Sequence, residues 1–260
     1  MSDYETVNYS VAKRVATIAL NRPKAMNAFT KQLRLELLAA IERAENDSDV
    51  RVVVLTGEGR GFSSGADLAA GLEGHDTIES QILEEYKPIL LAIDQSSKLF
   101  IAAVNGACAG VGSAMAMTCD FMVMAEDAFV YLAFAAVGLI PDGGASYQLV
   151  NALGYRRAMQ LFVEAGRLTA EQCQQYGVAN KVVPADELLP QTQAWAEILA
   201  QGAPLAQQLG KQVMRSASRS SFADVINTEA KLQVTTTTSQ DHQNATMAFF
   251  SKQKPVFVGK

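Results

Sequence analysis

Cysteine is scarce in this chain: Cys108, Cys119 and Cys173 are odd in number and none stands in C-x-x-C spacing. That excludes a disulfide framework or zinc knuckle and fits reduced core thiols in a cytoplasm. Histidine is scarcer, with only His75 and His242. H-E-x-x-H and Cys/His clusters are missing, as is the EF-hand loop, so a metal site has no support. Net positive charge is also lacking: 22 basic against 27 acidic residues leave −5. Without a basic stripe, neither nucleic acid nor an anionic membrane is an expected partner. The opening Met-Ser-Asp-Tyr-Glu has no basic and apolar leader, which points to a cytoplasmic location. Neither G-x-x-x-x-G-K-[ST] nor G-x-G-x-x-G occurs, so nucleotide hydrolysis and dinucleotide binding lose their main signatures.

What is present is apolar. With 49% apolar and 19% charged residues among 260, the chain can bury one substantial core plus a small appendage. Residues 99–119 carry no charge over 21 positions, long enough to span a bilayer. Asn105-Gly106, Gly110, Gly112 and the following Asp120 make a buried strand, a loop and a buried helix the better reading.

Two strand-like runs, TVNYSVA and RVATIALN, precede a helical pattern from Thr30 to about Asn46, with Leu33, Leu37, Leu38, Ile41 and Ala44 on one face. RVVVLTG at 51–57 leads into a Gly/Ser loop ending at Ala66, then a long helix between Thr77 and Gln95. LFIAAVNG at 99–106 repeats that plan, followed by a Gly-rich loop, a helix near 111–118 and the strand DFMVMA. Alternating strands and helices define an α/β protein. Helices follow around 155–165, at 169–176 with Thr169 and Gln172 in capping-box spacing, at 186–200, and from Pro204 to Lys252. The expected division is a core at 1–200 and a helical C-terminal region at 201–260, serving as a lid or in oligomerisation.

Three segments invite chemistry. Gly61-Phe62-Ser63-Ser64-Gly65 matches the G-x-S-x-G nucleophile elbow, but four residues separate it from its strand and neither histidine is an evident partner. The loops 61–66 and 106–112 each follow a buried strand and could aim free amides at one carbonyl oxygen, as an oxyanion hole. Their small residues are equally open to a reading as tight packing. Asp142, in Leu-Ile-Pro-Asp-Gly-Gly, is the only acidic or basic side chain between Asp127 and Tyr147. Pro-Asp-Gly is a turn signature. Burial among Phe134, Ala135, Ala136 and Val137 would also raise its pKa toward a range useful for moving protons.

Together LNRPKAMNA (20–28), VVLTGEGRGFSSGADL (53–68), AAVNGACAGVGSAMAMTCD (102–120), GLIPDGG (138–144) and AFFSKQKPVFVGK (248–260) resemble the crotonase superfamily, the enoyl-CoA hydratase/isomerase family. The resemblance covers almost the whole chain. It implies a crotonase-like spiral of repeated β-β-α units with a helical C-terminal region, assembled as a homotrimer or dimer of trimers. It further implies an acyl-CoA thioester substrate, with no cofactor beyond the coenzyme A that the substrate carries. Ala66 and Val111 match the two oxyanion-hole donors. Arg22, Lys24, Ala25, Ala66, Asp67, Leu68, Gly110 and Phe134 match the CoA and acyl pocket, and Lys252 matches a C-terminal lysine that reaches CoA, also from a neighbouring subunit.

Two departures bear on the reaction. Hydratases of the family hold water with two glutamates, and those positions here are Ala114 and Phe134. Neither side chain can take a proton. Asp142 stands where several isomerases of the family place an acidic base. The resemblance therefore implies an enoyl-CoA isomerase with a single carboxylate. The alternatives are a hydratase, another acyl-CoA enolate reaction, or a non-catalytic CoA-binding scaffold. Glu85 and Tyr131 are alternative bases, and the segment from about 69 to 95, with Gly71, Gly74 and His75, is the pocket wall, read as a mobile loop over the acyl group or a plain surface loop.

Overall fold

The computed structural model describes residues 4–260. Along the chain run β1 (Val7–Ala12), β2 (Val15–Leu20), α1 (Lys31–Asn46), β3 (Val52–Gly57), β4 (Gly61–Ser63), α2 (Ile78–Gln81) and α3 (Lys87–Asp94). There follow β5 (Leu99–Val104), β6 (Ala107–Ala109), α4 (Val111–Thr118), β7 (Phe121–Ala125), β8 (Phe129–Tyr131), α5 (Ala145–Val163), β9 (Arg167–Thr169) and α6 (Ala170–Gln175). The chain closes with β10 (Lys181–Val183), α7 (Leu188–Leu199), α8 (Pro204–Ala217), α9 (Phe222–Thr237) and α10 (Gln240–Phe250).

Two sheets share these strands, in the orders β1-β2-β3-β5-β7-β10 and β4-β6-β8-β9. Only β1–β2 and β8–β9 pair antiparallel. Each long strand hands the chain to a short strand of the second sheet and then to a helix: β3 to β4, β5 to β6, β7 to β8. This is the expected β-β-α spiral. Every residue of β3 and β5 is buried, as a parallel sheet covered on both faces requires. On α1, Thr30 caps the first turn by accepting from the Leu33 N–H. Leu33, Leu37, Ile41 and Ala44 are buried as expected, but the fully buried neighbour on that face is Arg34, and Leu38 is only half-buried.

The short strands β4 and β6 lie where the sequence reads only loops. Three residues, Gly-Phe-Ser in β4 and Ala-Cys-Ala in β6, are too short to carry a period-2 signal, and their pairing is decided by the sheet they join. The helix placed at 155–165 starts ten residues earlier, at Ala145, and breaks at Gly154 (φ 72°, ψ 159°). Its first half is largely exposed and shows no apolar period. Between Thr77 and Gln95 the chain is helical throughout, α2 and α3 being joined by a π-wound stretch, Ile82–Tyr86. The uncharged segment 99–119 divides into β5, β6 and α4, and no helix among the described residues is long and apolar enough to cross a membrane.

Helix α8 is anchored to the body through buried charge: Lys211 Nζ lies 2.9 Å and Arg215 Nη2 2.6 Å from the Asp120 carboxylate. Helix α9 has no buried residue, and α10 only Asp241.

Candidate active site

Gly65 follows β4, Gly110 follows β6, and the two meet. Both have positive φ, 95° and 52°. A Cβ built on Gly65 would lie 3.0 Å from the Ala109 carbonyl oxygen and 3.4 Å from the Gly110 Cα. A side chain here would strain the turn and part the loops. The residues that come next, Ala66 and Val111, are the two expected donors, so this contact sets their peptide units beside each other.

Neither N–H has an acceptor among the described residues. Val111 opens α4, and the first N–H groups of a helix have no partner within it. At Ala66 the cause is a single parallel bridge with Phe29. The Phe29 N–H donates to the Gly65 carbonyl (2.8 Å), and the Asp67 N–H donates to the Phe29 carbonyl (3.1 Å). In a planar trans peptide the Ala66 N–H points opposite to the Gly65 carbonyl. Holding that carbonyl on Phe29 therefore turns the Ala66 N–H outward.

Asp142 stands in the turn before α5. Its Oδ1 is buried without a partner, and burial pushes its pKa from 3.8 up to about 6, against a small opposing pull from its own backbone N–H. The adjoining Gly143 locates this turn: a Cβ there would stand 3.0 Å from Val111 Cγ2, 3.0 Å from Ala114 Cβ and 3.5 Å from Leu90 Cδ1. The turn that carries Asp142 thus packs on the side chains of Val111 and Ala114 at the start of α4. One expectation needs correcting. Phe134 is buried, but Ala136, Val137, Leu139 and Ile140 are exposed, Ile140 by 78%. The packing that covers this turn comes from α3 and α4, not from the apolar residues beside Asp142 in sequence.

The elbow serine is a brace. Ser63 Oγ donates to the Asn27 carbonyl (2.8 Å) and accepts from the Gly65 N–H (3.1 Å). His75 is elsewhere, its Nε2 2.8 Å from Glu85 Oε1, so no nucleophile-base pair forms. Glu85 is also no free base. Burial alone would raise its pKa, but hydrogen bonds from His75 and from Arg34 (Nε to Oε2, 2.6 Å) outweigh it and hold it low. Tyr131 packs its ring under Arg167. The segment after Leu68 is tied down rather than loose: Glu73 Oε2 accepts from Arg34 Nη2 at 2.7 Å and from the Lys31 N–H at 2.6 Å.

The residues matched to the CoA pocket divide. Ala25 borders Ser64, whose N–H donates to Met26 (2.9 Å), while Lys24 and Leu68 are exposed beside it. Arg22, expected near phosphate, is engaged internally, with Nη1 3.1 Å from Asp67 Oδ2 and hydrogen-bonded to the Ala28 carbonyl. The pair clamps the two loops instead of offering a free cation. Lys252 is not brought to the site of its own chain. The tail after it, Pro255–Val258, lies along Arg14 and Arg51, at the start of β3, whereas the site lies beyond the ends of β3 and β5. Asn27 and Arg34 carry structural weight that the sequence did not reveal. Asn27, with φ 54°, donates from Nδ2 to the Gly61 carbonyl and accepts from the Arg22 N–H. A polar residue in LNRPKAMNA was its only signal.

A β-β-α spiral with two unclaimed amides beside a buried carboxyl defines a crotonase-type protein. The chain belongs to the enoyl-CoA hydratase/isomerase family, whose model matches residues 10–260. A Rhodobacter capsulatus protein named "Probable enoyl-CoA hydratase" is 35% identical over 257 residues, covering 99% of each chain. The 1,2-epoxyphenylacetyl-CoA isomerase of Escherichia coli is 32% identical over 254 residues, covering 96% of this chain and 97% of its own. A solved enoyl-CoA hydratase from Bacillus anthracis is 26% identical and covers 98% of this chain and all of its own, with a TM-score of 0.93. Relatives of both names share this frame, so the reaction is argued from the site.

Proposed function

We propose that the protein is an enoyl-CoA isomerase that shifts the double bond of a 3-enoyl-CoA to the 2-position. The observation that carries this reading is Asp142: a half-buried carboxyl with an unpartnered oxygen, in a turn whose Gly143 packs on Val111 and Ala114, with no second carboxylate at 114 or 134. The amides of Ala66 and Val111 polarise the thioester carbonyl and hold the dienolate, a contribution of about 3–4 kcal/mol for one such donor. Asp142 takes a proton from C2 and returns it to C4, so atoms and charge balance without a cofactor. Lys24, Ala25, Leu68 and Gly110 border the thioester and its CoA. Buried Phe134 keeps water from the dienolate. A half-buried Asp142 rather than one fully exposed in its turn supports an enzyme over a scaffold without catalysis.

A second copy of the chain is proposed to cover α9 and α10, forming a trimer or dimer of trimers. Phe222, Phe249 and Phe250 are 83%, 77% and 78% exposed, large side chains that a partner surface would bury.

The test is incubation of purified protein with 3-enoyl-CoA and 2-enoyl-CoA separately, beside Asp142→Asn. Isomerisation lost in the variant, with no hydration by either, is the expected result. Strong hydration by the unaltered protein overturns the single-base mechanism, and unchanged isomerisation in the variant moves the base elsewhere.

A further inference from the structure

Tyr86 is a buried hydroxyl that the proposed reaction does not use. It is 3% exposed, with its ring edge-on to Phe29 at 6.1 Å between centroids. Arg34 Nη1 donates to its oxygen at 3.2 Å. The phenol's own proton has no acceptor among the described residues. Burial pushes its pKa up to about 12, overcoming the pull of Arg34 and helped by the nearby charges of Asp142 and Glu73. The group is therefore a donor throughout the physiological range.

Its surroundings hold it still. Arg34 is fixed by Glu85, Glu73 and the Phe29 carbonyl at 2.6, 2.7 and 3.2 Å, so the hydroxyl cannot turn away without losing its bond to a held guanidinium. Tyr86 lies one helical turn before Leu90, the residue that packs on Gly143, and it lies close enough to Asp142 to feel its charge. The phenol thus sits on the Asp142 side of its helix. The unpartnered Asp142 oxygen is accounted for by the C–H it deprotonates. The Tyr86 proton has no such account, and a buried donor left without an acceptor is unfavourable. Sites that must recognise a polar atom hold donors in this state until the ligand arrives.

We propose that Tyr86 is a specificity-determining residue that donates to an oxygen on the acyl group, so that the site prefers oxygen-bearing acyl-CoA thioesters to plain hydrocarbon ones. The ether, carbonyl or hydroxyl oxygen would lie beyond the carbons served by Asp142. This inference rests on the reading of Ala66, Val111 and Asp142 as an acyl-thioester site.

The experiment measures calorimetric affinities of saturated acyl-CoA thioesters of one length, in which an ether oxygen replaces successive chain methylenes. Saturated chains have no double bond to move, so the result does not depend on isomerisation. One oxygen position should bind about tenfold more tightly than the hydrocarbon, the equivalent of roughly 1.4 kcal/mol. Tyr86→Phe, which keeps the ring, should bring that ligand back to hydrocarbon affinity, with thermal melting confirming an intact fold. No favoured position, or a preference that survives in Tyr86→Phe, overturns the proposal. Failure of every thioester to bind overturns the site reading itself.

Discussion

Gly143 and Ala114 stand in contact: a Cβ on the glycine would be 3.0 Å from that of the alanine. The turn that carries Asp142 is therefore wedged against the position where hydratases of the family hold a glutamate. A small residue at 114 leaves room for the turn that carries Asp142 to pack on the start of α4. The two arrangements compete for the same space.

Ala114→Glu should show that competition. A second carboxylate beside Asp142 disfavours its ionised form, so isomerisation at pH 7 should fall and its pH dependence shift upward by about one unit. Overpacking should cost about 1–3 kcal/mol. A pH-rate profile and urea unfolding measure both, and an unchanged profile would count against the contact.

For the unaltered protein, kcat/KM with a 3-enoyl-CoA should rise with pH and level off above pH 7, with its midpoint near the Asp142 value of about 6. Only the carboxylate form can accept the proton. Asp142→Asn should lose about 10²–10⁴-fold in kcat and the midpoint with it.

The same carboxyl should weaken the fold at neutral pH. Its pKa is higher folded than unfolded, so its favourable contribution is complete below about pH 4 and is lost as pH rises through about 6. Asp142→Asn should thus gain about 2 kcal/mol over the unaltered protein at pH 7.5, and none at pH 3.5. Denaturant titrations at the two pH values test the sign as well as the size.

Gly65→Ala would put a methyl 3.0 Å from the Ala109 carbonyl at φ 95°. Because that turn aims the Ala66 N–H, kcat should fall by about 10²–10³, well beyond the small change expected in substrate affinity. A variant with full activity would show that Ala66 is not a donor to the substrate.

Replacing Arg34 by Met should cost about 3–5 kcal/mol, since Glu85 is left buried with only His75 and a distant Lys31 as partners. Urea unfolding reads this directly, and a loss under 1 kcal/mol would mean the cluster adds little to stability.

Much of the fold was legible. Long apolar runs such as RVVVLTG and LFIAAVNG can only be buried strands of a covered parallel sheet, and α1 declares itself through its period and the Thr30 cap. The five short strands β4, β6, β8, β9 and β10 escaped because a three-residue strand is made by its neighbours, not its composition. At the site, Ala66, Val111 and Asp142 could be named from their glycine and proline context and from resemblance. Arg34 could not, since a lone arginine on a helix with this pattern reads as a solvated side chain, and only Glu73, Glu85 and Tyr86, drawn from distant segments, make its burial affordable. The sequence by itself determined the order of the long strands and of most helices, and which small residues flank the turns after β3 and β5, because those follow from local backbone limits and apolar period. The tertiary structure alone decided that Gly65 touches Gly110, that Arg22 spends its charge on Asp67, and that Asp142 is covered by helices from elsewhere in the chain. Those are relations between residues far apart in sequence, and pKa and hydrogen bonding depend on the neighbours that folding supplies.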